Sequence, residues 1–278
     1  GWVLCDAGPV TEEAMPTAIV PVPLSSAVPS PGSRRWTPWA RPAGLRGILV
    51  GSVEAGLPSL GLDPTYYEPI WRACVDEGMP VHLHGSAGPQ DVDMTLPGGI
   101  QVWACEAIFY AHRALWFLMF GGVPERYPEL QIVFTELMSD WQPRALRFMD
   151  YVWKDSFVSA AGSLLTKPPS EYWERQFWVG SSILCSAEVA MGHEVGVDKM
   201  MFGSDLPHPE GTLGKTAPYL QAAFGGAGVP EDEARNMLGH NAARLYGLAD
   251  WGKGYFGVNP AGRLTVMPSK GPGRQKDL

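Results

Sequence analysis

The sequence predicts an α/β fold with a parallel sheet, and two observations carry that reading. Six short, nearly continuous apolar runs recur along the chain, as strands buried on both faces require, and most gaps between them leave room for a helix. The helix ends are also marked, by proline and acidic residues at the starts and glycine at the stops. In chain order, the first strand is read over 18–24. Residues 25–43, rich in proline, arginine and tryptophan, read as irregular where a crossover helix would be expected. A second strand follows at 47–50. Asp63-Pro64 gives an N-cap and a proline at the first helical position, Gly78 ends that helix, and a strand follows over 80–84. A strongly apolar helical stretch runs from Cys105 to Phe120. Further strands are expected at 132–136, 177–181 and 200–205. Pro230-Glu-Asp-Glu then opens a helix with acids in its first turn, and it stops at Tyr246 before Gly247. The tail 249–278 lacks a periodic pattern and reads as an irregular, extended or disordered end. No internal repeat is visible.

Strands and helices of this size suit the units of a (β/α)8 barrel, of which two would be missing before residue 18. An open doubly wound sheet fits the same periodicity without that deficit. Spacing alone leaves both open.

Composition narrows the function. The 278 residues carry 21 Lys+Arg against 29 Asp+Glu, a net charge of -8, so no basic stripe is present for a nucleic-acid backbone. Hydrophobic residues make up 45% and charged residues 18%, which suits a globular core rather than a disordered chain. The four cysteines lie far apart with no C-x-x-C pair, which argues against a zinc knuckle or a dense disulfide framework and suits a reducing cytoplasm. No apolar run is long enough for a membrane span. The expected partner is a small molecule, with neither nucleic acid nor membrane.

In both candidate architectures, sites form at the carboxyl ends of parallel strands. Those ends carry His84, Glu136, Ser181-Ser182 and Asp205, mostly metal-ligand or acid/base types. A strand ending in histidine or carboxylate incurs a desolvation cost unless a partner or metal compensates. His82 and His84, two residues apart, point to one side of their strand, with His84 nearer the open end. His84 alone would pass for a core histidine, but Glu136 and Asp205 at equivalent strand ends favour a site. Asp205 also opens a proline- and glycine-rich turn, and Glu136 reads about equally well as a cap. His208, His112 and Trp141 are the candidates for contacting substrate, although a lone residue of this kind in a loop or helix is more often structural. Other motifs fail. Gly214-Lys215-Thr216 lacks the first glycine of a phosphate loop, His193-Glu194 lacks the second histidine of a zincin, and His84-Gly-Ser86-Ala-Gly88 lacks the first glycine of a nucleophile elbow.

Several runs together resemble the amidohydrolase-related family, in the family's order and over roughly residues 16–248. They are Pro80-Val-His-Leu-His-Gly85, His112-Arg-Ala-Leu-Trp-Phe117, the stretch from Gly121 to Glu136, Val179-Gly-Ser-Ser182, the stretch from Phe202 to Thr212, and Asn241-Ala-Ala-Arg-Leu-Tyr-Gly247. This branch of the amidohydrolase superfamily includes aminocarboxymuconate-semialdehyde decarboxylase and γ-resorcylate decarboxylase. The resemblance implies a (β/α)8 TIM barrel of the metal-dependent hydrolase type over 1–248, with six of eight units recognisable and the N-terminal part missing. It also implies one divalent ion, zinc or manganese with magnesium as a further candidate, held by His84, Asp205 and Glu136. Asp205 and Glu136 would be the catalytic carboxylates. The implied activity is hydrolysis or non-oxidative decarboxylation of a small carboxylated or carbonyl substrate.

The family's first-strand H-x-H is not found, since no histidine precedes His82. That departure, with a start at Gly1, reads as an N-terminally shortened barrel and keeps a second expectation alive: a catalytically inactive barrel that binds a ligand or partner. Open strand edges in such a barrel would favour a homo-oligomer.

Overall fold

The sheet is buried on both faces at its middle strands. Val81, His82 and Leu83 on one strand, and Ile132, Val133 and Phe134 on the next, are all buried, with no alternation between a wet and a dry side. The structure, a computed structural model, describes residues 18–21, 45–51, 60, 62, 64–85, 91–181, 183–205, 208, 211–212, 214–247, 256–258 and 264–266. The irregular segment 25–43 and the cap at Asp63 lie outside them. The chain forms two compact units, residues 1–181 and 182–278.

In the first unit, β1 (Ala18–Pro21), β2 (Leu45–Gly51), β3 (Val81–His84), β4 (Ile132–Thr135) and β5 (Phe177–Ser181) are parallel and lie side by side in chain order. A doubly wound sheet reverses its strand order at a switch point, whereas a barrel wall does not. The unreversed order resolves the alternative that periodicity left open, and the fold is the α/β barrel type. The register pairs Val81 with Ile132 and Ile132 with Phe177, and so lines up the carboxyl ends of β3, β4 and β5.

The helices of this unit are α1 (Pro64–Glu77), α2 (Gly99–Phe120), α3 (Val123–Arg126), α4 (Gln142–Lys154) and α5 (Pro169–Gln176). In α1, Tyr67, Ile70, Trp71 and Cys74 recur at helical spacing and are each at most 3% exposed, giving one face to the core. Gly78 closes this helix at φ 58, in the left-handed region that glycine enters at little cost. The apolar stretch expected from Cys105 begins earlier, at Gly99, after Gly98 turns the chain at φ 82. Its buried residues Ala111, His112, Ala114, Leu115, Leu118 and Met119 lie in its second half. Phe134, Trp173 and Phe177 stack together, the last two with ring centroids 5.4 Å apart. Each large side chain buried this way contributes roughly 2–3 kcal/mol. Gln176 is fully buried, and its amide donates to the carbonyls of Tyr127 at 2.9 Å and Leu130 at 2.8 Å, fixing the loop that feeds β4.

The second unit holds α6 (Ser186–Ala190), α7 (Gly192–Val195), β6 (Met200–Phe202), α8 (Thr216–Ala227), α9 (Glu231–Arg235) and α10 (Asn241–Tyr246). The helix expected from Pro230 to Tyr246 is found, with a π-helical stretch over Asn236–His240 between α9 and α10. Asn241, also fully buried, donates to the carbonyls of Val197 at 2.8 Å and Met200 at 2.7 Å and ties α10 to the start of β6. Within the tail, β7 (Phe256–Val258) pairs antiparallel with β8 (Leu264–Val266). Strands of three residues are too short to leave a periodic signal in the sequence. No described helix is long and apolar enough to cross a membrane.

Candidate functional site

The carboxyl end of β3 presents two histidines in different environments. His82 is buried, and its Nδ1 lies 2.9 Å from the Thr135 hydroxyl on β4. A Cβ at position 47 would lie 3.0 Å from its ring, so Gly47 makes room for the imidazole. Burial pushes the His82 pKa down to about 3, which keeps the ring neutral. His84, one pleat further on, is partly exposed. Its Nδ1 donates to the Gly85 carbonyl at 2.7 Å, and its Nε2 meets Glu136 Oε2 at 2.6 Å. Burial lowers the His84 pKa, but bonding to the Glu136 carboxylate, the Gly85 carbonyl and the Glu136 charge outweigh it, and the net shift is upward.

Glu136 follows β4 directly. Its N–H continues the ladder to the Gly180 carbonyl at 2.8 Å, and its backbone then turns left-handed at φ 57. Met138, two residues on, repeats that conformation at φ 57. Between them, the Leu137 carbonyl accepts from His112 Nε2 at 2.7 Å and from Trp141 Nε1 at 2.9 Å. The His112 and Trp141 rings stack with centroids 3.8 Å apart. His112 is 3% exposed. Burial is the main reason its pKa is lowered to about 4, against smaller upward pulls from the Leu137 carbonyl and Asp140. The structure therefore unites two of the three residues expected to contact substrate, on one carbonyl.

In the second unit, Asp205 lies just past β6 with φ 54. His208 Nδ1 is 2.9 Å from its Oδ2, and the His208 N–H donates to its carbonyl at 2.8 Å. The loop then folds back, with Thr212 N–H donating to the Ser204 carbonyl at 2.9 Å. A Cβ on Gly211 would lie 2.5 Å from the Asp205 carbonyl oxygen and 2.7 Å from that of Ser204, so this turn requires glycine there. Ser182 and Glu210 lie outside the described residues.

Among the described residues, the non-glycine positions with positive φ are Glu136, Met138 and Asp205. Each such conformation costs on the order of 1–3 kcal/mol, and strain of this kind concentrates at functional sites. Two of the three are the carboxylates singled out from the sequence. The sequence reading missed the His84–Glu136 contact, the two ring donors on Leu137 and the need for Gly211. Only Gly211 left a signal, as a glycine in a proline-rich turn.

Each unit thus offers one imidazole and one carboxylate, the nitrogen and oxygen donors that zinc and manganese accept. His84 fixes its Nδ1–H on a backbone carbonyl, as metal-binding histidines do, and presents Nε2 to the Glu136 carboxylate. These residues fit a divalent ion.

Unreversed parallel strands, with an imidazole and a carboxylate paired after β3 and β4, suit a barrel of the metal-dependent hydrolase class. The amidohydrolase family matches residues 37–248, well over half of the sequence, and the chain belongs to that family. No curated protein sequence matches it significantly. Solved structures do. They include 5-carboxyvanillate decarboxylase from Sphingomonas paucimobilis, at 23% identity and TM-score 0.59 over 73% of this chain and 58% of that one. Dihydroxybenzoic acid decarboxylase from Polaromonas sp. JS666, with bound manganese and 2-nitroresorcinol, matches at 18% identity and TM-score 0.59 over 76% of this chain and 63% of that one. 2,6-Dihydroxybenzoate decarboxylase from Rhizobium matches at 18% and 0.59, over 76% and 65%. The chain therefore spans less than two thirds of each of these relatives. At such identities the likeness establishes the fold.

Proposed function

We propose that this chain carries out non-oxidative decarboxylation of a small carboxylated substrate with one divalent metal ion, for which His84 and Glu136 of the first unit are the ligands. The observation that carries the reading is the His84–Glu136 pair, closed to 2.6 Å at the ends of adjacent strands on a strained backbone. Family membership supports the metal. The named activities of the three structural relatives favour carboxyl loss over hydrolysis, and aromatic carboxylates as the substrate class. A divalent ion at this site would polarise the substrate oxygens and hold them in place.

The protein's own part is proton handling and orientation. When the carbon–carboxylate bond breaks and carbon dioxide leaves, the electron pair stays on the ring carbon and must take up a proton. Asp205, oriented by His208, delivers that proton and regains it from water. His84 would hold such an ion as a neutral ring, so the proton it shares with Glu136 would have to be released on binding. Self-association fits the exposed apolar residues in the first half of α2, among them Ile100, Val102 and Phe109.

The test is a titration of the purified, chelator-stripped chain with manganese and zinc, with light scattering on the same sample. One ion per chain is expected, weakened by His84→Ala and by Glu136→Gln. If neither ion binds tightly, the enzyme reading falls and an inactive, ligand-binding barrel takes its place.

A further inference from the structure

We infer that His112 and Trp141 are positioning residues: together they clamp the Leu137 carbonyl and so hold Glu136 in the left-handed conformation that carries its carboxylate to His84. The inference rests on the reading of Glu136 as a metal-site residue and moves His112 and Trp141 from substrate contact to support.

The geometry is specific. A single carbonyl oxygen accepts from two aromatic N–H donors, at 2.7 and 2.9 Å, contributed by α2 and by the start of α4. The rings that supply those donors stack at 3.8 Å with 18° between their planes, so neither donor can swing away alone. Phe134 on β4 meets Trp141 edge-on from the strand side at 5.6 Å. His112 is buried and neutral, with a hydrogen on Nε2 because that atom faces a carbonyl, which only accepts.

The clamped carbonyl lies between the two left-handed residues, Glu136 and Met138. Neither is a glycine, so both would relax toward ordinary backbone angles if the chain between them were free. On its other side Glu136 is fixed by its own N–H on the Gly180 carbonyl at 2.8 Å. The Leu137 side chain is itself buried at 2% exposure. Glu136 is therefore held between two immobilised peptide groups, and its carboxylate reaches a histidine 52 residues away. Support of this kind orients ligands that the supporting residues never touch.

The test uses variants that keep the rings and remove only the donors. His112→Phe and Trp141→Phe preserve the stack, and His112→Gln restores an amide donor. With manganese alone as the probe, followed by its paramagnetic resonance in the full chain, each phenylalanine variant is expected to bind about tenfold more weakly. His112→Gln should recover most of that loss, which a merely space-filling role would not predict. Unchanged affinity in both folded phenylalanine variants would overturn the clamp. A second measurement separates this inference from the reading beneath it. In metal-free crystals of either phenylalanine variant, Glu136 should leave the left-handed region and its contact with His84 should open. If the parent chain binds no manganese, the metal reading fails while the crystals still decide the clamp: an undisturbed Glu136 sinks it.

Discussion

The His84–Glu136 pair and the Asp205–His208 pair have the same composition, one imidazole and one carboxylate, and in both the carboxylate residue takes a left-handed backbone, at φ 57 and φ 54. Their members are separated very differently along the chain, by 52 residues in the first pair and three in the second. The second is made by one turn, which needs only its own hydrogen bonds and a glycine where the chain folds back. The first exists only when β3 and β4 are in register and the turn after β4 is braced from α2 and α4. Equivalent chemistry is thus reached by local geometry in one unit and by tertiary structure in the other, so the two pairs should fail under different insults.

The largest expected effect comes from breaking the local pair chemically without disturbing its turn. Asp205→Asn keeps the shape and removes the proton carrier, and turnover should fall by about a thousandfold with thermal unfolding nearly unchanged. Turnover within a factor of two of the parent would remove Asp205 from the proton step.

Acid should separate the units next. His82 and His112 have folded pKa values of about 3 and 4, below the ordinary 6.5. Their contribution to stability is therefore complete above pH 6.5 and is lost as pH falls toward those values, by about 2 kcal/mol for each histidine at pH 5. His84 works in the opposite sense: its pKa is raised, so its contribution is present below pH 6.5 and is lost as pH rises through the folded value. Two lowered groups against one raised group leave the first unit acid-labile. Hydrogen exchange at pH 7 and pH 5, corrected for intrinsic rates, should show protection lost over 64–181 before 183–247. Equal loss in both would contradict the assignment.

The smallest effect is steric. Gly211→Ala puts a methyl group against the Asp205 and Ser204 carbonyls and should lower stability by about 2 kcal/mol, read by denaturant unfolding. Crystals of this variant should show the Asp205 turn displaced and the His84–Glu136 contact intact. Displacement of both would mean that the first pair is less independent than its tertiary bracing implies.

The same contrast explains what could be read in advance. All six expected strands are present, because runs such as Ile132-Val-Phe-Thr135 are apolar on both faces and bounded by turn residues. Asp205 was visible because the turn around it is written in adjacent prolines and glycine. Strand order was not visible, since periodicity carries no information about which strands are neighbours. Nor was the His84–Glu136 contact, which depends on a register between residues 52 apart. The left-handed turn at Glu136 left no trace because glutamate does not favour it; the cause lies in His112, 24 positions earlier in the sequence and brought back by α2. Family resemblance supplied the pairing of these carboxylates with a metal, which composition and spacing alone did not.

The buried amides of Gln176 and Asn241 carry a consequence for the chemical lifetime of the fold. Each donates both hydrogens of one NH2 group to two backbone carbonyls, one amide in each unit. Deamidation at either would leave size and shape almost unchanged while turning two attractions into a carboxylate facing two carbonyl oxygens. An aged molecule would then lose the loop before β4 or the anchor of α10 while its strand-end residues remained chemically intact.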